Sequence, residues 1–167
     1  RVGVATTFVP DYESIEMLEE TVRALVQLNY PHDTWVLDEG NDARVKSLCR
    51  KLGAFHFSRK NLPQYQTEEG TFRARSKHGN YNAWLHEAGF ERYEIIAAFD
   101  PDHVPERSFL SEVLGYFSDP HVGYGETSRI HARSSTPHGR DAAQMRILCS
   151  MDPWTPVDPL GEALHFV

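Results

Sequence analysis

The feature that most restricts the fold of this chain is an alternation of strand-like and helix-like segments from residue 1 to about residue 125. Residues 2–9 are rich in β-forming side chains, and apolar residues then recur at helical spacing over residues 15–26. Residues 94–99 form an apolar run that is typical of a strand covered on both faces. This order predicts an α/β fold with a mostly parallel sheet flanked by helices.

Two stretches depart from the alternation. Residues 59–76 are polar and lack periodicity, so we predict a long loop, and loops of that length inside a domain usually carry function. Residues 126–167 sustain neither period, so the pattern assigns no helices or strands there. We interpret them as a divergent, irregular C-terminal segment of the same domain, because a chain of 167 residues has room for one core.

Charge and hydropathy argue against two classes of partner. The formal net charge of −7 disfavours a nucleic-acid surface, since phosphate backbones select for basic stripes. The longest apolar runs are too short to cross a bilayer, so we expect the chain by itself to be soluble. Any bound polyphosphate must then be neutralised locally, by a metal or by a few cations such as those in residues 59–77.

Acidic residues follow two of the predicted strands, at the edge where ligands bind in open α/β sheets. Asp100 and Asp102 come directly after the apolar run, and paired carboxylates can hold Mg²⁺ or Mn²⁺ while leaving positions open for phosphate oxygens. His103 is a candidate third ligand. The alternative is that the aspartates cap the helix that follows, and the residues alone favour neither interpretation.

The start of the third predicted helix is a candidate anion site. Lys77 lies at the first turn, where free N–H groups attract anions, and Gly79 with the amides of Asn80 and Asn82 would suit a diphosphate. A solvated helix start explains the same residues. Likewise Asp38 ends a predicted strand and could accept hydrogen bonds from a base or ribose, or could belong to a plain turn.

Taken together, four motifs in order resemble the family 2 glycosyltransferases of the GT-A fold, in particular the cellulose-synthase-like branch. Residues 12–21 are similar to its Asn-Glu-Pro segment and first helix, and residues 36–40 to its Leu-Asp-Asp-Gly. Residues 77–82 resemble its Lys-Ala-Gly-Asn-Leu-Asn, and residues 99–105 its Asp-Ala-Asp-His. The resemblance covers roughly residues 1–125, which it identifies as the nucleotide-sugar-binding half of the domain.

The resemblance implies a metal-dependent enzyme that uses Mg²⁺ or Mn²⁺. It would transfer sugar, with inversion, from a nucleoside-diphosphate sugar, usually a UDP-sugar, to a saccharide or lipid acceptor. The parent protein would act at the cytoplasmic side of a membrane and would meet that membrane through parts that this chain lacks. The implied nucleotide-binding residues are Thr7, Glu13, Asp38, Lys77 and Asp100, and the implied metal ligands are Asp100, Asp102 and His103.

The sequence also departs from the family pattern. Glu39 stands where a second aspartate is usual, and neither the Thr-Glu-Asp segment with the catalytic base nor the Gln-x-x-Arg-Trp motif is found. The general base is therefore unidentified, with Asp158 and Glu162 as weak candidates, and we predict that this chain binds donor but transfers sugar poorly. A non-catalytic fragment of a larger membrane synthase is one alternative.

Another alternative comes from a different enzyme class. Residues 100–104 also fit the Asp-x-Asp-x-Val motif of haloacid-dehalogenase-type phosphatases, in which Asp100 would be the nucleophile and Asp102 the acid/base. That family carries the motif on its first strand, whereas three predicted strands precede it here.

Overall fold

A computed structural model of the chain describes residues 1–118 and the backbone of residues 124–127 and 145–149. Six strands form one sheet in the order β3-β2-β1-β4-β6-β5. The first four are parallel, and β6 pairs antiparallel with both β4 and β5. The strands are β1 (Val2–Phe8), β2 (Asp33–Asp38), β3 (Phe55–Phe57), β4 (Ile95–Phe99), β5 (Tyr124–Thr127) and β6 (Met145–Cys149).

The helices are α1 (Ile15–Val26), α2 (Ala43–Leu52), α3 (Lys77–Trp84), α4 (Phe90–Arg92) and α5 (Phe109–Val113). All but α4 lie where the apolar spacing predicts them. A π-helical turn, Leu85–Gly89, joins α3 to α4, and 3₁₀ turns occupy Pro63–Tyr65 and Leu114–Ser118. The predicted α/β architecture with a mostly parallel, helix-flanked sheet is confirmed.

Short polar residues fix where the helices begin and end. The Ser14 hydroxyl accepts the N–H of Met17 at the start of α1, and the Asp42 carboxylate accepts the N–H of Arg44 at the start of α2. Gly53 ends α2 in the left-handed conformation, with φ at 77°, which glycine adopts without a steric penalty. The caps at Ser14 and Asp42 fix where the loops at the carboxyl ends of β1 and β2 end.

Both faces of the sheet are covered. Along β1, Val4 and Phe8 point into the cores formed with α1, α2 and α5, whereas Ala5 points into the core formed with α3. Trp35 and Trp84 are buried in the α3 core, as expected for packing residues. Burial on both faces explains why the central strands read as continuous apolar runs.

The C-terminal segment contributes strands that the sequence pattern did not indicate. β6 lies beside β4, with Ile147 opposite Ala97, and extends the sheet beyond the parallel strands. Asp158 and Glu162 lie outside the described residues. None of the helices in the described part of the chain is long and apolar enough to cross a membrane.

Candidate functional site

The carboxyl ends of three neighbouring strands meet at one edge of the sheet. Phe8 at the end of β1 lies opposite Asp38 at the end of β2, and Thr6 lies opposite Phe99 at the end of β4. Asp100 follows Phe99 directly. The structure therefore brings the two predicted acidic positions to a common edge, as parallel pairing requires.

The turn after β4 holds a compact group of three polar side chains. Ligand atoms of Asp100, Asp102 and His103 all lie within 4.8 Å of one another. The His103 Nε2 is 3.6 Å from Asp100 Oδ2 and 3.9 Å from Asp102 Oδ1. Asp102 is 60% exposed whereas His103 is 6% exposed, so the group opens to solvent on its carboxylate side.

Two buried hydroxyls fix this turn to the rest of the sheet. Thr21 of α1 donates a 2.6 Å hydrogen bond to the carbonyl of Pro101, between the two aspartates. The Tyr81 hydroxyl of α3 lies 3.2 Å from the carbonyl oxygens of Ala5 and Phe99. Because each hydroxyl comes from a helix on a different face, both helix layers set the position of the acidic turn.

The role of His103 is defined by its own hydrogen bond. Its Nδ1 accepts the backbone N–H of Asp100 at 3.2 Å, and burial lowers its pKa below the ordinary value, although Asp102 opposes the shift. A neutral imidazole whose Nδ1 accepts carries its proton on Nε2. In this tautomer the Nε2–H faces the two carboxylates from beyond hydrogen-bond distance, and a metal bound at Nε2 would require the proton to move to Nδ1, with loss of the bond from the Asp100 N–H.

The helix start and the acidic turn meet, as the sequence predicts. The Lys77 ammonium forms an ion pair with Asp100 Oδ1. Ser76, the residue before Lys77, caps α3 by accepting the N–H of Gly79 at 3.2 Å. The lysine is thus held at the first turn of α3 with its charge beside the carboxylate cluster.

A cavity of about 880 Å³ adjoins this pair. Its walls are three loops at the carboxyl ends of strands, residues 9–13, 39–42 and 75–77, and Thr7 and Asn80 also line it. Lys77 lines the cavity and contacts Asp100, whereas Asp100, Asp102 and His103 are not themselves among the residues that line it. A volume of this size accommodates a nucleotide-sized ligand.

Comparison with known proteins assigns the family. The chain is 34% identical over 125 residues to the UDP-forming cellulose synthase catalytic subunit of Pseudomonas fluorescens, which covers 72% of this chain. It is 30% identical over 114 residues to the corresponding subunit of Xanthomonas axonopodis, covering 66% of this chain. The chain belongs to the cellulose-synthase-like family 2 glycosyltransferases. No family model matches the chain.

The chain spans only a small part of these cellulose synthase subunits, 15% and 14% of their lengths. Solved structures show the same GT-A fold. A mannosyltransferase from Pyrobaculum calidifontis in complex with GDP-Man and Mn²⁺ has a TM-score of 0.55 at 23% identity, covering 74% of this chain and 34% of its own. S. aureus TarS 1–349 in complex with UDP-GlcNAc has a TM-score of 0.51 at 16% identity, covering 74% and 33%.

Glu13, which matches the glutamate of the family's Asn-Glu-Pro segment, faces the cavity. Its Oε2 accepts the N–H of Val9 at 2.6 Å, closing the loop after β1. Burial raises the pKa of Glu13, while the Val9 bond and Lys77 lower it and Asp102 raises it further. The charges of Lys77 and Asp102 thus act in opposite directions on the pKa of the Glu13 carboxyl.

Asp38, which matches the first aspartate of the family's Leu-Asp-Asp-Gly, is buried and fully hydrogen-bonded. It accepts the N–H groups of Gly40 at 2.8 Å and Asp42 at 2.6 Å, and His56 Nε2 lies 3.0 Å away. Its neighbours Glu39 and Gly40 line the cavity instead. The contact of Asp38 with a nucleoside remains a prediction, and in this structure its carboxylate shapes the β2 loop.

The glycine and amides of the α3 motif make contacts within the protein, and their contact with a diphosphate stays a prediction. Asn80 donates to the carbonyl of Leu37 at 2.9 Å, and Asn82 donates to that of Thr71 at 2.8 Å. A Cβ at Gly79 would meet the carbonyl of Arg73. Of the residues in this motif, only Lys77 and Asn80 line the cavity.

Sequence reasoning missed the residue that organises the long loop. Arg59 is fully buried and pairs with Glu39 through two hydrogen bonds of 3.0 and 2.6 Å. Its guanidinium also donates to four backbone carbonyls, those of Tyr65, Phe72, Arg73 and Ser76, at 3.0 to 3.2 Å. A lone arginine in a polar loop gives no signal of such burial. The one indication in the sequence was that Glu39, the partner of Arg59, stands where the family has a second aspartate.

Proposed function

We propose that this chain binds a nucleoside-diphosphate sugar together with a divalent metal and forms the donor half of a sugar transferase. The observation that carries the proposal is the contact between Lys77 and Asp100 at the border of a nucleotide-sized cavity. An ammonium at a helix start and a carboxylate cluster that share one edge suit a diphosphate bridged by a metal.

The residues present fit Mg²⁺ or Mn²⁺. Asp100 and Asp102 supply hard oxygen donors, and the exposure of Asp102 leaves room for phosphate oxygens in the same coordination sphere. His103 faces both carboxylates with its Nε2–H and would join the ligands in its other tautomer. When bound, such an ion stabilises the negative charge of a departing nucleoside diphosphate.

The relatives favour uridine as the nucleoside. The cellulose synthase subunits of P. fluorescens and X. axonopodis are described as UDP-forming. The structural neighbours were solved with GDP-Man and Mn²⁺ or with UDP-GlcNAc, so the GT-A fold holds such donors in those proteins. We therefore infer a UDP-sugar as the donor of this chain.

Different residues of the chain would bind different parts of the donor. Lys77 would move from Asp100 toward the diphosphate once a metal neutralises the carboxylates, because the cation then has a stronger anionic partner. Glu13, fixed by Val9, and Thr7 would face the nucleoside. In the protein to which this donor half belongs, a saccharide or lipid hydroxyl would attack the anomeric carbon with inversion, at the cytoplasmic side of a membrane.

Calorimetric titration with UDP tests the proposal. We expect UDP to bind the chain in the presence of Mn²⁺ and to bind at least about tenfold more weakly without it, because the diphosphate otherwise meets uncompensated carboxylates. Asp102→Ala should reduce the metal-dependent affinity by a similar factor.

Glu106→Ala is the matched control for that titration, since Glu106 is an exposed carboxylate four residues away and lies outside the cluster. It should bind UDP and Mn²⁺ like the wild type. Equal UDP binding with and without Mn²⁺, or an unchanged affinity in Asp102→Ala, would contradict the proposed metal site.

A further inference from the structure

The cavity has more carboxylates than an anionic donor should tolerate. Four carboxylates line it, and two of them, Glu39 and Asp42, are paired with arginines. Asp11 and Glu13 remain on the lining. A negatively charged ligand can enter only if cations on the lining face it directly, so the state of each cation decides what the cavity can bind.

Among the residues that the structure describes, three cations line the cavity, and two of them have partners within the protein. Lys77 pairs with Asp100, and Lys60 donates to the carbonyl of Gly40 at 2.8 Å. Arg75 is exposed and makes no side-chain hydrogen bond or ion pair with any residue of the described chain. Its guanidinium is thus available to a ligand without breaking an internal contact.

The backbone of Arg75 is held in an unfavourable conformation. Its φ is 54°, in the left-handed region that residues with a Cβ avoid. Residues on either side are pinned, since Arg59 donates to the carbonyl of Arg73 at 3.0 Å and to that of Ser76 at 3.2 Å. The loop therefore presents Arg75 to the cavity from a fixed and strained position, a combination that is typical of functional sites.

We propose that Arg75 is a second anion-binding residue of the donor site, distinct from Lys77 and the metal cluster. Its guanidinium takes a phosphate oxygen of the nucleoside diphosphate or a carboxylate on the transferred sugar. The planar fork of arginine matches both groups through paired hydrogen bonds. This inference rests on the proposed function and adds a determinant of which donors the cavity accepts.

The charges of the ligand and the site support this assignment. A divalent ion offsets Asp100 and Asp102, but Lys77 and Lys60 only balance the carboxylates of Asp11 and Glu13 on the lining. Arg75 adds the positive charge that faces the two negative charges of a neutral-sugar donor. A uronic acid donor brings a third negative charge, and Arg75 would then be the cation available to its carboxylate.

The test compares Arg75→Asn with Arg73→Asn. Asparagine tolerates the left-handed conformation, so Arg75→Asn removes the guanidinium while keeping the backbone. Arg73 is an exposed arginine of the same loop that does not line the cavity, which makes its variant the matched control for net charge. Each protein is titrated with UDP, UDP-glucose and UDP-glucuronate in the presence of Mn²⁺.

We expect Arg75→Asn to weaken binding of UDP by about ten- to a hundredfold, the usual effect of losing a charge-assisted hydrogen bond, while Arg73→Asn stays within about twofold of the wild type. A loss confined to UDP-glucuronate would instead assign the sugar carboxylate as the partner of Arg75. The melting temperature of Arg75→Asn should equal or exceed that of Arg73→Asn, because the strain at this position is relieved.

Three results would overturn the inference. One is that Arg75→Asn binds all three ligands with wild-type affinity. Another is that Arg73→Asn loses as much affinity as Arg75→Asn, which would indicate that the change in net charge alone weakens binding. A third is a lower melting temperature in Arg75→Asn than in Arg73→Asn together with lost binding, which would indicate a structural role. If the wild type itself binds no UDP with Mn²⁺, the proposed function fails as well, so the two failures are distinguishable.

Discussion

Arg59 shows how one buried charge can shape a binding site that it does not enter. The loop of residues 60–76 has few regular hydrogen bonds of its own, and four of its carbonyls are directed at this guanidinium. The pair with Glu39 joins that loop to the end of β2. Two walls of the cavity are therefore held together by a single side chain.

Replacing Arg59 by methionine should destabilise the chain by about 3 kcal/mol. The change keeps most of the side-chain volume but leaves Glu39 and the four carbonyls without their donor. Urea unfolding gives the loss in free energy, and hydrogen exchange should show faster opening of amides in residues 60–76 than in β1.

Lys60→Met controls for the loss of a cation next to Arg59. Lys60 is exposed and makes one hydrogen bond, to the Gly40 carbonyl, so its variant should lose less than about 1 kcal/mol. Similar unfolding free energies for the two variants would contradict the organising role of Arg59.

At the scale of elements, α3 and the long loop depend on a glycine for their contact. At Gly79 a Cβ would meet the Arg73 carbonyl and would lie 2.7 Å from Arg59 Nη1 and 2.8 Å from Ser76 Oγ. The last of these is the helix cap itself. The family's Lys-Ala-Gly-Asn motif thus has a packing explanation in this chain, namely the close approach of a loop to the first turn of α3.

Gly79→Ala should therefore cost about 2 kcal/mol of unfolding free energy, because backbone and a buried guanidinium must move to admit one methyl group. It should also weaken binding of UDP with Mn²⁺, since Lys77 lies two residues away on the same turn. Urea unfolding and calorimetry measure the two effects.

Gly115→Ala is the corresponding control. Gly115 lies in the helical turn Leu114–Ser118, and no atom of the described residues is within 4 Å of where its Cβ would be. This variant should change the unfolding free energy by no more than about 0.5 kcal/mol and leave UDP binding intact. A Gly79→Ala protein as stable as Gly115→Ala would refute the packing explanation.

Elements with a strong helical period or a continuous apolar run were predictable from the sequence. The apolar stripe of α1 and the continuous apolar run of β4 can be recognised in the sequence, because each is set by local spacing and burial. β6 was not predictable, because it has only five residues and its partner, β4, lies about 45 residues earlier in the sequence.

The candidate site likewise has parts that the sequence predicts and parts that it does not. Strand ends and parallel order place Asp100 and Lys77 at one edge, and the structure brings them into contact. The burial of Asp38 depends on His56 and on the backbone of the loop that follows β2, which no local pattern specifies. Arg59 was missed for the same reason, because its partners lie up to 20 residues away in a segment without a period.

At the scale of the whole molecule, donor binding and sugar transfer can be separated. The described elements that form the cavity all come from β1 through α3, and the acidic cluster follows β4. Neither the catalytic-base segment nor the acceptor motif of the family is found in the sequence, which spans 15% of the P. fluorescens subunit. The groups proposed to bind a donor are thus present without a recognisable group to deprotonate an acceptor.

We therefore expect UDP-glucose with Mn²⁺ to raise the melting temperature of the chain while producing no detectable glucan or glucoside. Binding to the native state alone stabilises it by about 2.7 kcal/mol at a ligand concentration one hundred times Kd, which corresponds to a shift of several degrees for a chain of this size. Thermal melts with and without the donor give the first quantity. Release of UDP from labelled donor, with a cello-oligosaccharide as acceptor, gives the second.

Asp102→Ala tests donor binding further. Because its affinity should fall about tenfold, the same concentrations of UDP-glucose and Mn²⁺ should stabilise it by only about 1.4 kcal/mol. The melt of the ligand-free protein should not change, because Asp102 is the exposed member of its cluster. Transfer of glucose to the acceptor by the wild-type chain would contradict the separation. It would also place a general base among residues that the family motifs do not identify. In that case a carboxylate on the cavity lining, Asp11 or Glu13, would be the first to replace, because neither is paired with an arginine, unlike Glu39 and Asp42.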